Sequence, residues 1–492
     1  MPALSFVRVL CRVGRVGGAL QIHQRQVQMS SIAVAATALP LLPLFLAPLV
    51  IRVRNSLYRN RASSKLRMAF LHPDLGIGGA ERLVVDAALS LQRRGHTVSI
   101  ITAHHDRSRC FEETRDGTLV VHVAGSRVPR HLFGKLHIVC ATLRALLGAM
   151  YLLLCEPGVD AVFVDQVPAP VPLLRACGVP VLFYCHFPDK LLAVGGAGGH
   201  DKPSGSMAKR LLRHIYRLPF DMLEEVCTGC SSRVLVNSKY TASVYHAHFH
   251  VLRAVRSLTG ALPPSVLHPA IDLARNLPTP PPEASTTLQL VSINRFERKK
   301  ALELAIEALG MLRDRRTSET SEAEPSNPPC AYRLVLAGGY DPRLRENVEY
   351  HNELSMRIEQ KGLSEEVELR RNVSEDERRA LFASAGAVVY TPSFEHFGIV
   401  PLEAMAAARP VVAVGLGGPC ESIVSGESGW LCEPTAESFA AAFEEAARLH
   451  ARGQLELRGL AARERVKAHF SLDVFGERLE KHLEQIAGVD RR

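Results

Sequence analysis

The sequence predicts an α/β protein of two Rossmann-like domains facing each other across a cleft, preceded by an N-terminal hydrophobic segment. Three observations carry this reading. Short apolar runs alternate with helical patterns along residues 66–275 and again along 286–465, the pattern that packs helices on both faces of a parallel sheet. A stretch with seven prolines, residues 261–287, separates the two series and reads as an interdomain hinge. A chain of 492 residues, 47% of them hydrophobic, is long enough for two ordinary cores.

Residues 1–65 stand apart as a basic arm. No Asp or Glu precedes Asp74, whereas ten Lys and Arg do, so much of the formal charge of +9 is a local excess. Residues 31–51 form a run of 21 without a charge, long enough to cross a hydrocarbon layer of about 30 Å as a helix. Pro40, Pro43 and Pro48 interrupt it. The Arg-rich flank beyond it would hold the following domains in the cytosol. The same composition also fits a transit peptide, and Met68 stands where the folded part begins. A single Trp, 6% aromatic residues and dispersed basic residues weigh against nucleic-acid binding. Eleven Cys without a repeating frame read as reduced thiols, Cys227-Thr-Gly-Cys230 included.

In the first domain, strands are expected at residues 66–71, 96–103, 119–124, 159–165, 179–184 and 233–236. The first ends in a Gly-rich loop, Gly76-Ile-Gly78-Gly79, which lacks the third Gly of the dinucleotide fingerprint. Residues 136–155 are apolar almost all round. They predict either a cover for the sheet or a face dipping into a membrane, with Arg127, Arg130, Lys135 and Arg144 at the head groups. His186 ends the fifth strand, at the edge where open α/β sheets place ligands. Residues 192–207, rich in Gly and Ser, read as a flexible loop beside the cleft.

The second domain repeats the pattern with strands at 288–294, 334–339, 367–370, 387–390 and 410–414. Residues 315–329 read as an inserted surface loop, and two closing helices follow residue 466. Arg295 and Lys300 lie in the exit loop of its first strand, where a planar fork and a mobile point charge suit a diphosphate. Residues 391–405 place Glu395 in a loop after a strand, Gly398 at the turn, and Glu403 just beyond Pro401 in the next helix. Carboxylates repel phosphate but bind hydroxyls, so the ligand carries both phosphate and polyol, as a nucleotide sugar does. No Asp-x-Asp pair is present to hold a divalent ion.

At this stretch, two Glu seven residues apart with Phe397, Gly398 and Ile399 between them, the chain resembles the retaining glycosyltransferases of GT-B type, glycosyltransferase family 4. The loop from His72 to Leu83, Phe183-Tyr-Cys-His-Phe-Pro-Asp189, Ser292-Ile-Asn-Arg-Phe-Glu-Arg-Lys-Lys300 and Ala337-Gly-Gly-Tyr-Asp341 extend the resemblance over residues 66–485. Together they resemble the mannosyltransferase branch that builds dolichol-linked oligosaccharides. The resemblance implies GDP-mannose as donor, a mannosylated chitobiosyl-diphosphodolichol as acceptor, alpha-1,3 and alpha-1,6 linkages, retention and no metal cofactor. It places the catalytic domains on the cytosolic face of the endoplasmic reticulum membrane. It implies that His186 and Glu395 act on the transferred sugar, that Glu403 binds the ribose, and that Arg295 and Lys300 bind the diphosphate. Gly78 and Gly79 would lie against the donor phosphates, with Phe397, Gly398 and Ile399 completing the donor site. Lys300 and Glu395 are expected on solvent-facing loops. Alternatives are a UDP-sugar enzyme of the same fold with a lipid acceptor, an NAD-dependent dehydrogenase, and a non-catalytic membrane adaptor.

Overall fold

The computed structural model describes residues 42–59, 65–133, 136–192, 207–259, 262–275, 286–319 and 331–488. Two parallel sheets organise them. The first contains β1 (Arg67–His72), β2 (Thr97–Thr102), β3 (Val120–Val123), β4 (Ala161–Asp165), β5 (Val181–Cys185), β6 (Arg233–Val236) and β7 (Ser265–Val266), in the order β3-β2-β1-β4-β5-β6-β7. The second contains β8 (Thr287–Ile293), β9 (Ala331–Gly338), β10 (Val367–Arg371), β11 (Ala387–Tyr390), β12 (Val411–Val414) and β13 (Gly429–Cys432), in the order β10-β9-β8-β11-β12-β13. Central strands such as β4 and β5 are buried along their whole length, because helices cover both faces and leave no polar side. In each sheet the strand order reverses once, between β1 and β4 and between β8 and β11. Such switch points open a crevice at the carboxyl ends of the strands.

The Pro-rich stretch divides. Its first part supplies β7, an edge strand of the first sheet, and Ile271 bridges to Ser471; residues 276–285 lie outside the described residues. The first closing helix, Leu455–His469, begins earlier than expected. The last, Leu472–Ala487, crosses back to the first domain, where Phe475, Leu479 and Leu483 join its core. Glu480 on that helix accepts from Arg94 at 2.6 Å and contacts His96 at 2.8 Å.

Part of the basic arm is docked on the fold. The helix Leu42–Tyr58 aims Arg54 at the carbonyls of Leu153 and Leu154, in the last turn of the helix His137–Cys155. Arg59 donates to the carbonyls of Val159 and Asp160 at 3.2 and 3.0 Å. Arg54 thus satisfies carbonyls that a helix end leaves without partners. Residues 31–41 of the expected membrane-crossing run lie outside the described residues.

Among the described residues, His137–Cys155 is the one helix long and apolar enough to cross a membrane. Ala145, Ala149, Leu152 and Leu153 are buried, whereas Leu143, Leu147, Met150 and Leu154 are exposed. One face thus covers the sheet as expected, and the other is apolar and exposed. Arg144 does not reach outward as expected: it is buried and pairs with Asp74 at 3.6 Å, because a charge turned inward needs a counter-ion. Lys135 and residues 193–206 of the Gly-rich loop lie outside the described residues.

Candidate active site

The cleft is lined by the carboxyl ends of both sheets and bridged by side chains from each. The ring of Phe187, two residues beyond β5, stacks on His396 with centroids 3.7 Å apart and planes within 9°. Ser238 Oγ donates to the His396 carbonyl at 2.6 Å. Glu421 accepts from the N–H groups of Lys239 and Tyr240 at 2.9 and 3.0 Å, at the start of the helix Lys239–His248, and pairs with His268 at 2.8 Å. A carboxylate at a helix N-terminus meets free N–H donors and the positive end of the dipole. These contacts fix the switch points of the two sheets across one crevice.

On the first-domain side, β1 and β4 are neighbours and end in His72 and Asp165. Asp165 is buried, with Oδ1 2.8 Å from His72 Nδ1 and Oδ2 3.1 Å from His186 Nε2. Burial alone would push the Asp165 carboxyl towards protonation, but the two histidines outweigh it and hold its pKa below the usual carboxylate value. Burial likewise opposes charge on His72, yet Asp165 raises its pKa above that of a free imidazole. The His186 carbonyl accepts from Asn237 Nδ2 at 2.8 Å, and the His186 ring meets the Tyr184 ring edge-on at 4.9 Å. An imidazole that donates Nε2–H to this carboxylate keeps Nδ1 as its acceptor. His72 and Asp165 were missed in the sequence, although each is the first ionisable group at the end of a strand flanking a switch point.

On the second-domain side, Lys300 closes the turn Arg298–Lys300 after β8, and Glu395 follows β11. Lys300 Nζ lies 2.6 Å from Glu395 Oε2, and Thr391 Oγ1 donates to the Lys300 carbonyl at 2.6 Å. Burial raises the Glu395 pKa, but Lys300 more than offsets it, so the pair is ionic. Their side chains are 12% and 25% exposed, not solvent-facing as expected, because each screens the other from water. The loop returns on itself at Gly398, whose φ of 83° places it against the Tyr390 ring. Gly418 touches the backbone of Phe397, where an added Cβ would lie 2.2 Å from the Phe397 Cα.

The remaining expected residues fall into two groups. Glu403 is mostly buried and paired with Arg378, a residue on the helix Glu375–Ser384 that sequence reasoning missed. Burial outweighs Arg378 and raises the Glu403 pKa. Gly78 and Gly79 open the helix Gly79–Arg93, and an added Cβ at Gly79 would meet no protein atom within 4 Å. Arg295 is exposed and pairs with Glu297 at 2.9 Å. The Phe397 ring is buried between His268 and Phe470, at 5.5 and 6.1 Å, and Ile399 packs on the same core. Both side chains therefore serve the core. Among the described residues no group of three or more His, Cys, Asp or Glu could hold a metal ion.

Known proteins agree with this architecture. Residues 77–275 match the family model "Glycosyltransferase Family 4" and residues 276–456 match "Glycosyl transferases group 1". The chain is 42% identical over 437 residues to the "Alpha-1,3/1,6-mannosyltransferase ALG2" of Homo sapiens, covering 86% of this chain and 96% of that one. It is 38% identical over 434 residues to the protein of the same name from Dictyostelium discoideum, covering 84% and 97%. Among solved structures, the sucrose-phosphate synthase of Thermosynechococcus elongatus superposes with a TM-score of 0.62 at 17% identity, over 87% of this chain and 100% of that one. The catalytic domain of starch synthase IV from Arabidopsis thaliana gives 0.63 at 15%, over 86% and 100%. Both share the fold. The chain belongs to the alpha-1,3/1,6-mannosyltransferase family, glycosyltransferases of GT-B architecture.

Proposed function

We propose that this mannosyltransferase moves mannose from GDP-mannose to a mannosylated chitobiosyl-diphosphodolichol. It forms the alpha-1,3 and alpha-1,6 branches of the lipid-linked oligosaccharide that precedes N-glycans. The observation that carries the reading is the pairing of two switch points across one crevice, Asp165–His186 on one side and Lys300–Glu395 on the other. In a chain of this family the second pair divides when donor binds: Lys300 turns to the departing diphosphate and Glu395 accepts from hydroxyls of the sugar. Arg295 adds a second charge, and Glu403, held by Arg378, accepts from the ribose hydroxyls. Gly78 and Gly79 let the helix N-terminus approach the phosphates.

His186 acts on the transferred sugar, its Nδ1 accepting a hydroxyl proton while Asp165 holds Nε2. Positive charge that tightens its hold on the diphosphate as the glycosidic bond breaks lowers the barrier directly. In this reading Lys300 and Arg295 carry that charge and no metal is required. A double displacement needs a free carboxylate beside the anomeric carbon. Asp165 is buried and shared by two histidines, and Glu395 is engaged by the sugar hydroxyls in this reading, so retention follows a same-face attack by the acceptor hydroxyl. The exposed apolar faces of the helices His137–Cys155 and Met207–Gly229 support membrane association at the endoplasmic reticulum, with the cleft in the cytosol.

The test is transfer by the full chain in liposomes, offering GDP-mannose or UDP-sugars to a chitobiosyl-diphospholipid carrying one mannose, with EDTA. Mannose addition from GDP-mannose alone, undiminished by EDTA, is expected. Use of a UDP-sugar overturns the donor, and loss in EDTA overturns the metal-free mechanism.

A further inference from the structure

Next to the transfer site lies a cavity of about 260 Å³ that the catalytic machinery does not use. Its floor is the turn Gln166 to Ala169, directly after Asp165, and Asp189, three residues beyond His186, stands at its wall. Its sides are the helices His137–Cys155, through Ile138 and Ala141, and Met207–Gly229, through Phe220 and Leu223. Both helices continue outward as exposed apolar faces, with Leu147 and Met150 on one and Met222 and Val226 on the other. The cavity therefore connects the apolar outer surface of the first domain to the strand ends that hold His186.

Three carboxylates, Asp189, Asp221 and Glu224, line it and decide between occupants. Glu224 accepts from the N–H groups of Asp189 and Lys190 at 2.8 and 3.0 Å. Asp221 and Asp189 pair with Arg217 at 3.2 and 3.5 Å. Their oxygens already serve the protein, and most of the remaining lining is hydrocarbon. A sugar would find few unspent hydrogen-bonding groups there, and an anion such as a phosphate or a fatty acid would find no free cation among the described residues, since Arg217 is already held by Asp189 and Asp221. A neutral hydrocarbon chain fits both constraints.

We propose that this cavity holds the isoprenoid segment of the acceptor nearest its diphosphate, steering the oligosaccharide towards His186. The proposal rests on the lipid-acceptor reading given above. It makes the first domain select acceptors by their tail as well as by their sugar, and it separates tail recognition from membrane adsorption.

The experiment compares two acceptors with the same oligosaccharide diphosphate, one polyprenyl-linked and one ending in a methyl ester. Ala141→Phe narrows the cavity from one helix and Ala169→Phe from its floor. The KM for the polyprenyl acceptor is expected to rise about tenfold in each variant. The KM and kcat for the methyl ester, the KM for GDP-mannose and sedimentation with phosphatidylcholine vesicles should stay unchanged, which also certifies the fold. An equal rise for both acceptors would assign the cavity to sugar and overturn the proposal. No rise for either would overturn it as well. A wild-type enzyme that uses another nucleotide sugar but keeps the tail preference, lost in both variants, would refute the donor reading and support the cavity.

Discussion

The two sides of the cleft present opposite solutions to the same placement. On the first sheet a single buried carboxylate, Asp165, is shared by two titratable rings. On the second, Glu395 and Glu403 each hold a cation of their own, Lys300 and Arg378. Asp165, His72, Lys300 and Glu395 all arise at switch points, so topology alone does not explain the difference. The chemistry does. A departing diphosphate needs positive charge that persists across the working pH range, and Lys and Arg supply it. In the same reading a sugar hydroxyl is met by an aimed acceptor, and an imidazole held by a carboxylate supplies that.

Breaking the charged side should give the largest effect. Lys300→Ala is expected to lower kcat/KM by about 100- to 1,000-fold, the scale of losing one group that stabilises transition-state charge. The fold should weaken too, since mostly buried Glu395 loses the cation that pairs with it, by about 2 kcal/mol, below the cost for a fully buried pair. The double variant Lys300→Ala/Glu395→Gln removes the stranded charge. It should recover the melting temperature without recovering transfer. Undiminished mannose transfer by Lys300→Ala would remove that residue from the site.

The histidine side should respond more gently. Asp165→Asn keeps the shape but leaves His186 free to take the other tautomer. The expected loss in kcat is about 10- to 100-fold, the scale seen when partners that orient functional imidazoles are removed. The KM for GDP-mannose should hold, and the nitrogen NMR shifts of His186 should report the change of tautomer. A purely structural Asp165 would lower the melting temperature and leave those shifts alone. Stability should follow pH in a defined sense. The raised His72 pKa contributes stability below about pH 6.5 that fades as pH rises through the folded value. The lowered Asp165 pKa contributes stability above about pH 3.9 that is lost on acidification. His72→Gln should flatten the alkaline slope of melting temperature against pH.

A smaller effect is expected at Arg378. Burial already raises the Glu403 pKa, so removing the guanidinium favours the protonated acid. Arg378→Ala should raise the KM for GDP-mannose about tenfold, the value of one charge-assisted hydrogen bond, with kcat little changed. A loss confined to kcat would place Glu403 at the sugar instead of the ribose.

The architecture was legible because central strands such as β4, β11 and β12 are Val- and Ala-rich runs, buried along their length, that suit a doubly covered sheet. The strands that escaped notice were β7, two residues beside prolines, and β13, which opens with a glycine and a tryptophan. Lys300 and Glu395 stood out because each lies in a polar loop straight after an apolar run. His72 and Asp165 did not, since each ends an apolar strand and a lone polar residue there looks like a boundary. The strand order, invisible in sequence, makes them neighbours. Arg378 was hidden for another reason: on a charged helix it looks like surface, and its partner lies 25 residues away.

The bridge between the two sides offers the finest comparison, because His396 belongs to the cationic side and is nonetheless kept neutral. Burial is the main cause, with Lys300, Lys299 and His186 adding to it, and the pKa falls to about 4. A depressed folded pKa means that stability is complete above about pH 6.5 and is lost as pH falls towards 4, where the unstacked ring takes up the proton more readily. His396→Phe keeps the aromatic contact with Phe187, worth about 1 kcal/mol, and removes the titration. Turnover at neutral pH should therefore stay within about threefold of wild type. Between pH 6.5 and 4 the wild type should lose melting temperature faster than the variant. Parallel acid profiles would mean that the stack is not what acid weakens, and that the contact of Glu421 with His268 and the N–H groups of Lys239 and Tyr240 holds the domains together instead.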